Sequence, residues 1–73
     1  MVYSLDEEIK NLTLGERIRL ARITVRMSQE ELAKKLFVTQ SHISDLENNV
    51  YEPKWGLMVS LVTVTRKSFE FFA

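Results

Sequence analysis

The chain has 73 residues, ten basic residues balanced by ten acidic residues, and no cysteine. A chain of this length forms one domain with a small core and gains stability from self-association. The lack of cysteine excludes disulfides, thiolate metal ligands and cysteine nucleophiles, and no apolar run approaches the ~20 residues that a membrane-spanning helix needs.

The charge is unevenly distributed along the chain. Asp6, Glu7 and Glu8 fall in residues 1–11, which we interpret as a tail or a short helical turn ahead of a domain at 12–73. From Leu12 onward nine basic residues outnumber seven acidic ones, a weak positive bias. The acidic start is not typical of a secretory signal, so we expect a cytoplasmic protein.

Three helix starts are predicted by a serine or threonine followed three residues later by glutamate, the spacing of a capping box. They are Ser4–Glu7, Thr13–Glu16 and Ser28–Glu31. The first pair predicts a short turn or, equally, a frayed tail. The second predicts a helix that runs to about Val25, with one apolar face that comprises Leu14, Ile18, Ala21 and Val25.

Two further helices are expected in the middle of the chain. The first runs from Gln29 to Leu36 with Leu32, Ala33 and Leu36 inward. The second follows a Thr39 cap, runs from Gln40 to about Asn48, and turns Ile43 and Leu46 inward. Asn48 and Asn49 then tolerate the left-handed conformation that ends helices.

Two secondary structures are possible for the segment after Pro53. Its β-branched residues favour a strand over about 57–66, whereas the spacing of Met58, Leu61, Val62 and Thr65 also fits a helix. Ser68 is a candidate cap for a final turn that contains three phenylalanines, Phe69, Phe71 and Phe72.

The two short helices between Gln29 and Asn48 meet the demands of a DNA-reading helix-turn-helix. Ala33 supplies the small residue where the helices cross. Apolar residues that fix the crossing angle are Leu32, Leu36, Val38, Ile43 and Leu46. The outward face of the second helix carries short polar side chains suited to base edges, namely Gln40, Ser41, Ser44 and Asp45.

The sequence resembles the Xre/Cro-CI family of helix-turn-helix regulators from Leu14 to Phe72. The resemblance rests on LGERIRLAR (14–22), MSQEELAKKL (27–36), VTQSHISDLEN (38–48) and EP (52–53). It implies an all-α, compact five-helix, lambda-repressor-like DNA-binding domain with the helix-turn-helix at helices 2 and 3. It also implies a transcriptional regulator, most often a repressor, that binds an inverted-repeat operator in double-stranded DNA as a homodimer.

The resemblance also assigns roles at the DNA. Gln40 is expected to read adenine through a bidentate amide contact, and Ser41 and Ser44 to lie against bases or phosphates. Asp45 accepts hydrogen bonds only, so it either takes one from cytosine or is a solvated acid beyond the DNA. The expected phosphate contacts, which start from the helix N-terminus at Gln29, are Gln29, Thr39, His42, Asn48 and Lys54.

Arg22 and Glu47 match positions that form a structural ion pair in the family, so we expect a pair here rather than a DNA contact from Arg22. The chain departs from the family at four positions where glycine is frequent, which are Arg26, Phe37, Asn49 and Arg66. Phe37 lies in the turn of the motif, where it takes either a positive φ, at a cost of about 1 kcal/mol, or an extended or helical geometry.

The C-terminal segment 54–73 carries more apolar residues than one small domain hides. About half are expected in the core, and the remainder at a homodimer interface. The expected interface residues are Leu57, Val64, Phe69, Phe71 and Phe72.

No enzyme is indicated. His42, the single histidine, has no cysteine or carboxylate cluster around it, and no metal site or cofactor is expected. Phage repressor, restriction-modification controller and antitoxin remain open within the leading interpretation. The alternative is a protein-interaction module of the same fold, with a partner such as a toxin and weak or no DNA binding, which zero net charge and Asp45 favour slightly.

Overall fold

The computed structural model describes residues 11–73, which form five α-helices and no strand. The helices are α1 (Leu14–Thr24), α2 (Gln29–Leu36), α3 (Gln40–Glu47), α4 (Trp55–Thr65) and α5 (Phe69–Phe72). The expected five-helix, all-α architecture is confirmed, and the helix-turn-helix lies at α2 and α3. The proposed turn at Ser4–Glu7 falls outside the described residues.

Capping boxes start α1 and α2, as the sequence predicts. The Glu16 N–H donates to Thr13 Oγ1 at 3.2 Å, and the Thr13 N–H donates to Glu16 Oε1 at 3.1 Å. The same reciprocal bonds join Ser28 and Glu31 at 3.0 and 3.2 Å. The Thr13 backbone N–H, and then the Thr13 side chain, favour the charged carboxylate and lower the pKa of Glu16.

Helix α4 overturns the strand alternative for residues 57–66. Leu61 and Thr65 are buried on its inner side, where it packs on α1 and α2. The Thr65 hydroxyl donates to the Leu61 carbonyl at 2.6 Å, so its polar group is satisfied inside the core. Burial of this face against two helices outweighs the local β-branched preference, which is a weak bias of about 1 kcal/mol or less.

All five helices contribute side chains to one core. It comprises Ile18, Ala21, Leu32, Ala33, Leu36, Ile43, Leu46, Leu61 and Phe72. The inward residues predicted for α2 and α3 are all buried. Phe72 corrects an expectation, because only 5% of it is exposed and its ring is covered within a single chain.

Four non-glycine residues end helices or turns with a positive φ. They are Arg26 (57°), Phe37 (59°), Asn49 (60°) and Arg66 (59°). These are the four positions where the sequence departs from glycine, and each takes the conformation that glycine favours. Phe37 is also 95% exposed. No helix within residues 11–73 is both long and apolar enough to cross a membrane.

Candidate nucleic-acid interface

Helix α3 is held with one face against the core and the other toward solvent. Thr39 starts the helix, and its Oγ1 accepts a hydrogen bond from the His42 N–H at 3.1 Å. Ile43 and Leu46 fix the inner face by burial in the core. Because an α-helix repeats every 3.6 residues, this orientation determines which side chains face outward.

The outward face of α3 presents the expected base-contacting residues together. Gln40 and Ser41 are exposed at the N-terminal end, and Ser44 and Asp45 are half-buried one turn later. Asn48, which ends the helix, donates from Nδ2 to the Ser44 carbonyl at 2.8 Å. The structure therefore groups these five side chains along one polar strip about two turns long.

The ion pair between Arg22 and Glu47 stabilises α3 on its buried side. Arg22 Nε lies 2.7 Å from Glu47 Oε2, and Arg22 Nη2 lies 3.0 Å from Glu47 Oε1. Arg22 Nη1 also donates to the Met27 carbonyl at 2.8 Å. The two side chains are 12% and 3% exposed. The pair is bidentate and joins α1, the turn before α2 and the end of α3, so Arg22 is turned away from solvent, as the family resemblance implies.

Gln29 lies at the first position of α2 and is tied to the same carboxylate. Its Nε2 donates to Glu47 Oε1 at 3.2 Å. This bond uses one of the two Nε2 hydrogens, so the donors left to meet a phosphate are the second Nε2–H and the backbone N–H at the helix start.

Asn49 was expected only to end α3, yet it also connects the helix to α1. Its Oδ1 accepts from the Gly15 N–H at 2.9 Å, and its Nδ2 donates to Thr13 Oγ1 at 2.9 Å. Gly15 permits this approach, because a Cβ there would lie 2.4 Å from the Glu47 carbonyl oxygen. No motif in the sequence signals these contacts, which span more than thirty residues.

The loop after α3 places two of the expected phosphate contacts beside one groove. His42 of α3 and Lys54 before α4 line a groove of about 540 Å³. The other lining residues are Val38, Tyr51, Glu52, Pro53, Gly56 and Leu57, so one carboxylate lies beside the same groove. The Tyr51 hydroxyl is hydrogen-bonded to His42 Nδ1. Lys54 is exposed at the start of α4. Sequence reasoning did not single out Tyr51.

The residues expected at a homodimer interface divide into two groups. Leu57, Val64 and Phe71 are half-buried against the core, as is consistent with a mainly intramolecular role, and Phe72 belongs to the core itself. Phe69 is exposed, and its ring stacks on Trp55 with centroids 5.1 Å apart and an interplanar angle of 10°. The exposed apolar surface of α4 and α5 is thus centred on Trp55 and Phe69 rather than on the other four residues.

No group of three metal-ligating side chains occurs in the part of the chain that the structure describes. Every side-chain nitrogen or oxygen that is fully buried there has a hydrogen-bond partner.

Comparison with known proteins agrees with this geometry. The helix-turn-helix family model HTH_3 matches residues 18–72. The chain belongs to this family of transcriptional regulators, of the Xre/Cro-CI type.

Two curated relatives and one solved structure illustrate the similarity. The uncharacterized HTH-type transcriptional regulator y4dL of Sinorhizobium fredii is 45% identical over 53 residues, 73% of this chain and 26% of the relative. The HTH-type transcriptional regulator DicA of Escherichia coli is 44% identical over 61 residues, 84% of this chain and 45% of the relative. The chain therefore spans less than half the length of either relative.

The solved structure is the P22 c2 repressor in complex with a synthetic operator. It superposes with a TM-score of 0.78 at 27% identity, and the match covers 85% of this chain and 94% of the repressor chain. This similarity places the described helices in the lambda-repressor-like fold.

Proposed function

We propose that the chain is a sequence-specific, double-stranded DNA-binding repressor that acts in the cytoplasm as a homodimer on an inverted-repeat operator. The observation that carries the proposal is the polar strip of α3, which faces solvent while the buried Arg22–Glu47 pair braces the helix from behind. A helix of this kind lies in the major groove, where short polar side chains reach base edges.

Within the strip, each side chain has a chemistry that suits one part of the duplex. Gln40 is exposed in the first turn and offers an amide to adenine. Ser41 and Ser44 supply short hydroxyls. Asp45 is half-buried, accepts hydrogen bonds only and repels phosphate, so it fits cytosine N4 in the groove centre better than the backbone.

The phosphate contacts are proposed for the groups that border this strip. Thr39 retains a hydroxyl hydrogen after it caps α3. Asn48 lies at the C-terminal end of the strip, and Gln29 supplies the N-terminus of α2. Lys54 is the one cation among the proposed contacts. One lysine per protomer gives a dimer a slope of about −2 in a plot of log affinity against log salt concentration.

The test selects bound sequences from a random DNA pool and then measures affinity for the selected duplex by fluorescence anisotropy. Gln40→Ala should lose about 1–3 kcal/mol of discrimination at one base pair and leave affinity for unrelated DNA unchanged. Lys54→Gln should weaken binding to all sequences and flatten the salt slope by about two units for a dimer. Lys35→Gln is the matched control, since Lys35 lies beside Thr24, Thr63 and Arg66, away from α3.

The second candidate function is a protein-interaction module, of which an antitoxin that binds its toxin is one form. Zero net charge and the acidic Asp45 on the outward face of α3 favour it. If no duplex is enriched from the pool and affinity for mixed DNA does not depend on salt, this alternative replaces the repressor.

A further inference from the structure

A contact between the side chains of Tyr51 and His42 joins the loop between α3 and α4 to helix α3. The Tyr51 hydroxyl is hydrogen-bonded to His42 Nδ1, and the two ring centroids lie 4.9 Å apart with the planes tilted by 55°. His42 is half-buried in the first turn of α3, beside the exposed Ser41. The contact therefore fixes both the position and the rotation of the imidazole.

The direction of this hydrogen bond decides where the imidazole proton lies. A neutral imidazole carries hydrogen on one nitrogen and a lone pair on the other. A phenol is the more acidic donor and an imidazole nitrogen the stronger acceptor, so the favoured arrangement has Tyr51 as the donor and Nδ1 as the acceptor. Burial, and then the negative charge of Asp45, raise the pKa of Tyr51, so the phenol keeps the proton that it donates.

We propose that Tyr51 is a positioning residue for DNA binding, which holds His42 with hydrogen on Nε2 so that this N–H meets a phosphate oxygen beside α3. The inference rests on the proposed DNA-binding function. His42 then donates a hydrogen bond as a neutral imidazole rather than as a charged imidazolium. The loop residue Tyr51 gains a role that no sequence motif indicates.

The geometry supports the phosphate as the group that Nε2–H meets. Nδ1 and Nε2 lie on opposite sides of the imidazole, so a ring whose Nδ1 is occupied by Tyr51 has Nε2 as its free polar atom. His42 and Lys54 line the same groove, so the neutral donor of α3 and the cation before α4 lie on one part of the surface. Histidine stacking in a purely structural role would not require a particular tautomer.

The first test is imidazole ¹⁵N NMR on the free protein at about pH 8. Wild-type His42 should show a bare Nδ1 and a protonated Nε2. Tyr51→Phe keeps the ring contact and removes only the hydroxyl, so the Nδ1 resonance should move toward the mixture of tautomers seen for a solvent-exposed histidine. A wild-type ring with hydrogen on Nδ1, or no change in Tyr51→Phe, would overturn the assignment.

The second test is a double-mutant cycle on affinity for a mixed-sequence duplex at low salt. Tyr51→Phe and His42→Ala should each weaken binding about three- to tenfold, the loss of one hydrogen bond, and the double variant should bind no worse than His42→Ala alone. His42→Gln supplies a neutral donor at a similar distance, and it should restore most of the affinity without dependence on Tyr51.

Failure of this inference is distinguishable from failure of the proposed function. If wild type binds the duplex and Tyr51→Phe binds equally well, the positioning role is wrong and the repressor stands. If Gln40→Ala and Lys54→Gln also change nothing because wild type binds no duplex, the proposed function is wrong and the phosphate contact falls with it.

Discussion

Phe37 has a strained backbone conformation and an exposed side chain. It occupies the left-handed region at φ 59° and ψ 40°, where a β-carbon costs about 1–2 kcal/mol, and it is 95% exposed. Phe37→Gly should therefore raise the free energy of unfolding by about 0.5–1 kcal/mol, because relief of strain exceeds the added freedom of the unfolded chain. Urea denaturation followed by circular dichroism measures the change.

Phe37→Ala is the control for this prediction. It removes the exposed ring and keeps the β-carbon, so the backbone strain remains and stability should change by less than about 0.5 kcal/mol. If alanine stabilises the protein as much as glycine does, the exposed ring and not the backbone conformation is the source of the cost.

Arg22 stabilises the fold by pairing with a buried carboxylate. Its guanidinium holds the Glu47 carboxylate, which is only 3% exposed, so removal leaves a buried charge without its cation. Arg22→Ala should cost about 3 kcal/mol in the free energy of unfolding, measured by urea denaturation. Arg19→Ala is the matched control, because Arg19 is exposed on the same helix and should change stability by less than about 0.5 kcal/mol.

The same variants separate the structural role of Arg22 from a DNA contact. Arg22→Ala should bind DNA normally per folded molecule at a temperature where it remains folded. An unchanged thermal midpoint together with lost DNA binding would contradict the ion-pair role and make Arg22 a direct contact.

At the scale of the helices, local signals predicted α1, α2 and α3 well. The capping residues Thr13, Ser28 and Thr39 accept the expected hydrogen bonds from the first turns. These contacts involve residues three apart in sequence, so the pattern is readable without tertiary structure. Ser68 precedes α5 as expected, but its side chain makes no capping hydrogen bond.

Helix α4 could not be predicted in this way because its conformation depends on distant partners. Its β-branched residues favour a strand locally, and Lys54 at its start provides no side-chain cap. Only the burial of Leu61 and Thr65 against α1 and α2 selects the helix. The candidate site could also be predicted only in part. The outward face of α3 follows from helical periodicity, whereas the roles of Asn49 and Tyr51 depend on contacts across the fold.

The close approach of α1 to the end of α3 predicts opposite effects of alanine at Gly15 and at Gly56. A β-carbon at Gly15 would lie 2.4 and 2.6 Å from the carbonyl oxygens of Glu47 and Leu46. These are backbone atoms, which cannot move aside cheaply, so Gly15→Ala should lower the free energy of unfolding by about 2 kcal/mol. It should also weaken DNA binding, because it displaces the C-terminal end of the reading helix.

Gly56→Ala is the control, since a β-carbon at Gly56 meets nothing within 4 Å. Alanine should stabilise α4 by about 0.5–1 kcal/mol through the lower entropy of the unfolded chain. Thermal and urea unfolding of both variants measure the contrast, and equal effects of the two substitutions would contradict the close helix contact.

For the whole molecule, the exposed apolar surface of α4 and α5 is where we expect the two copies of the proposed homodimer to pair. Trp55 is 71% exposed, and Val59, one turn along the same face, is 40% exposed. Phe69 extends this surface through its stack on Trp55. Large exposed aromatic residues concentrate at interfaces. A two-fold pairing through this surface would use the same residues on both copies, and repressor function requires that it place the two α3 helices about 34 Å apart.

This pairing predicts the effect of a single exposed substitution. Trp55→Ser should raise the dissociation constant of the homodimer by about thirtyfold or more, as expected for loss of an aromatic anchor worth ~2 kcal/mol. Sedimentation equilibrium at about 10–100 µM measures it. DNA affinity should fall in parallel, because two linked half-sites bind more tightly than one.

The matched control is Ile23→Ser, which removes a half-exposed apolar side chain from a surface hollow that Leu12, Glu16, Arg19 and Leu20 line with it. It should leave the dissociation constant unchanged, since its surface does not adjoin the Trp55–Phe69 stack. If wild type sediments as a monomer throughout this range, or if Trp55→Ser dimerises as wild type does, the two reading helices are not joined through this surface. Binding to an inverted repeat would then require that each copy find its half-site alone, with an affinity that does not depend on Trp55.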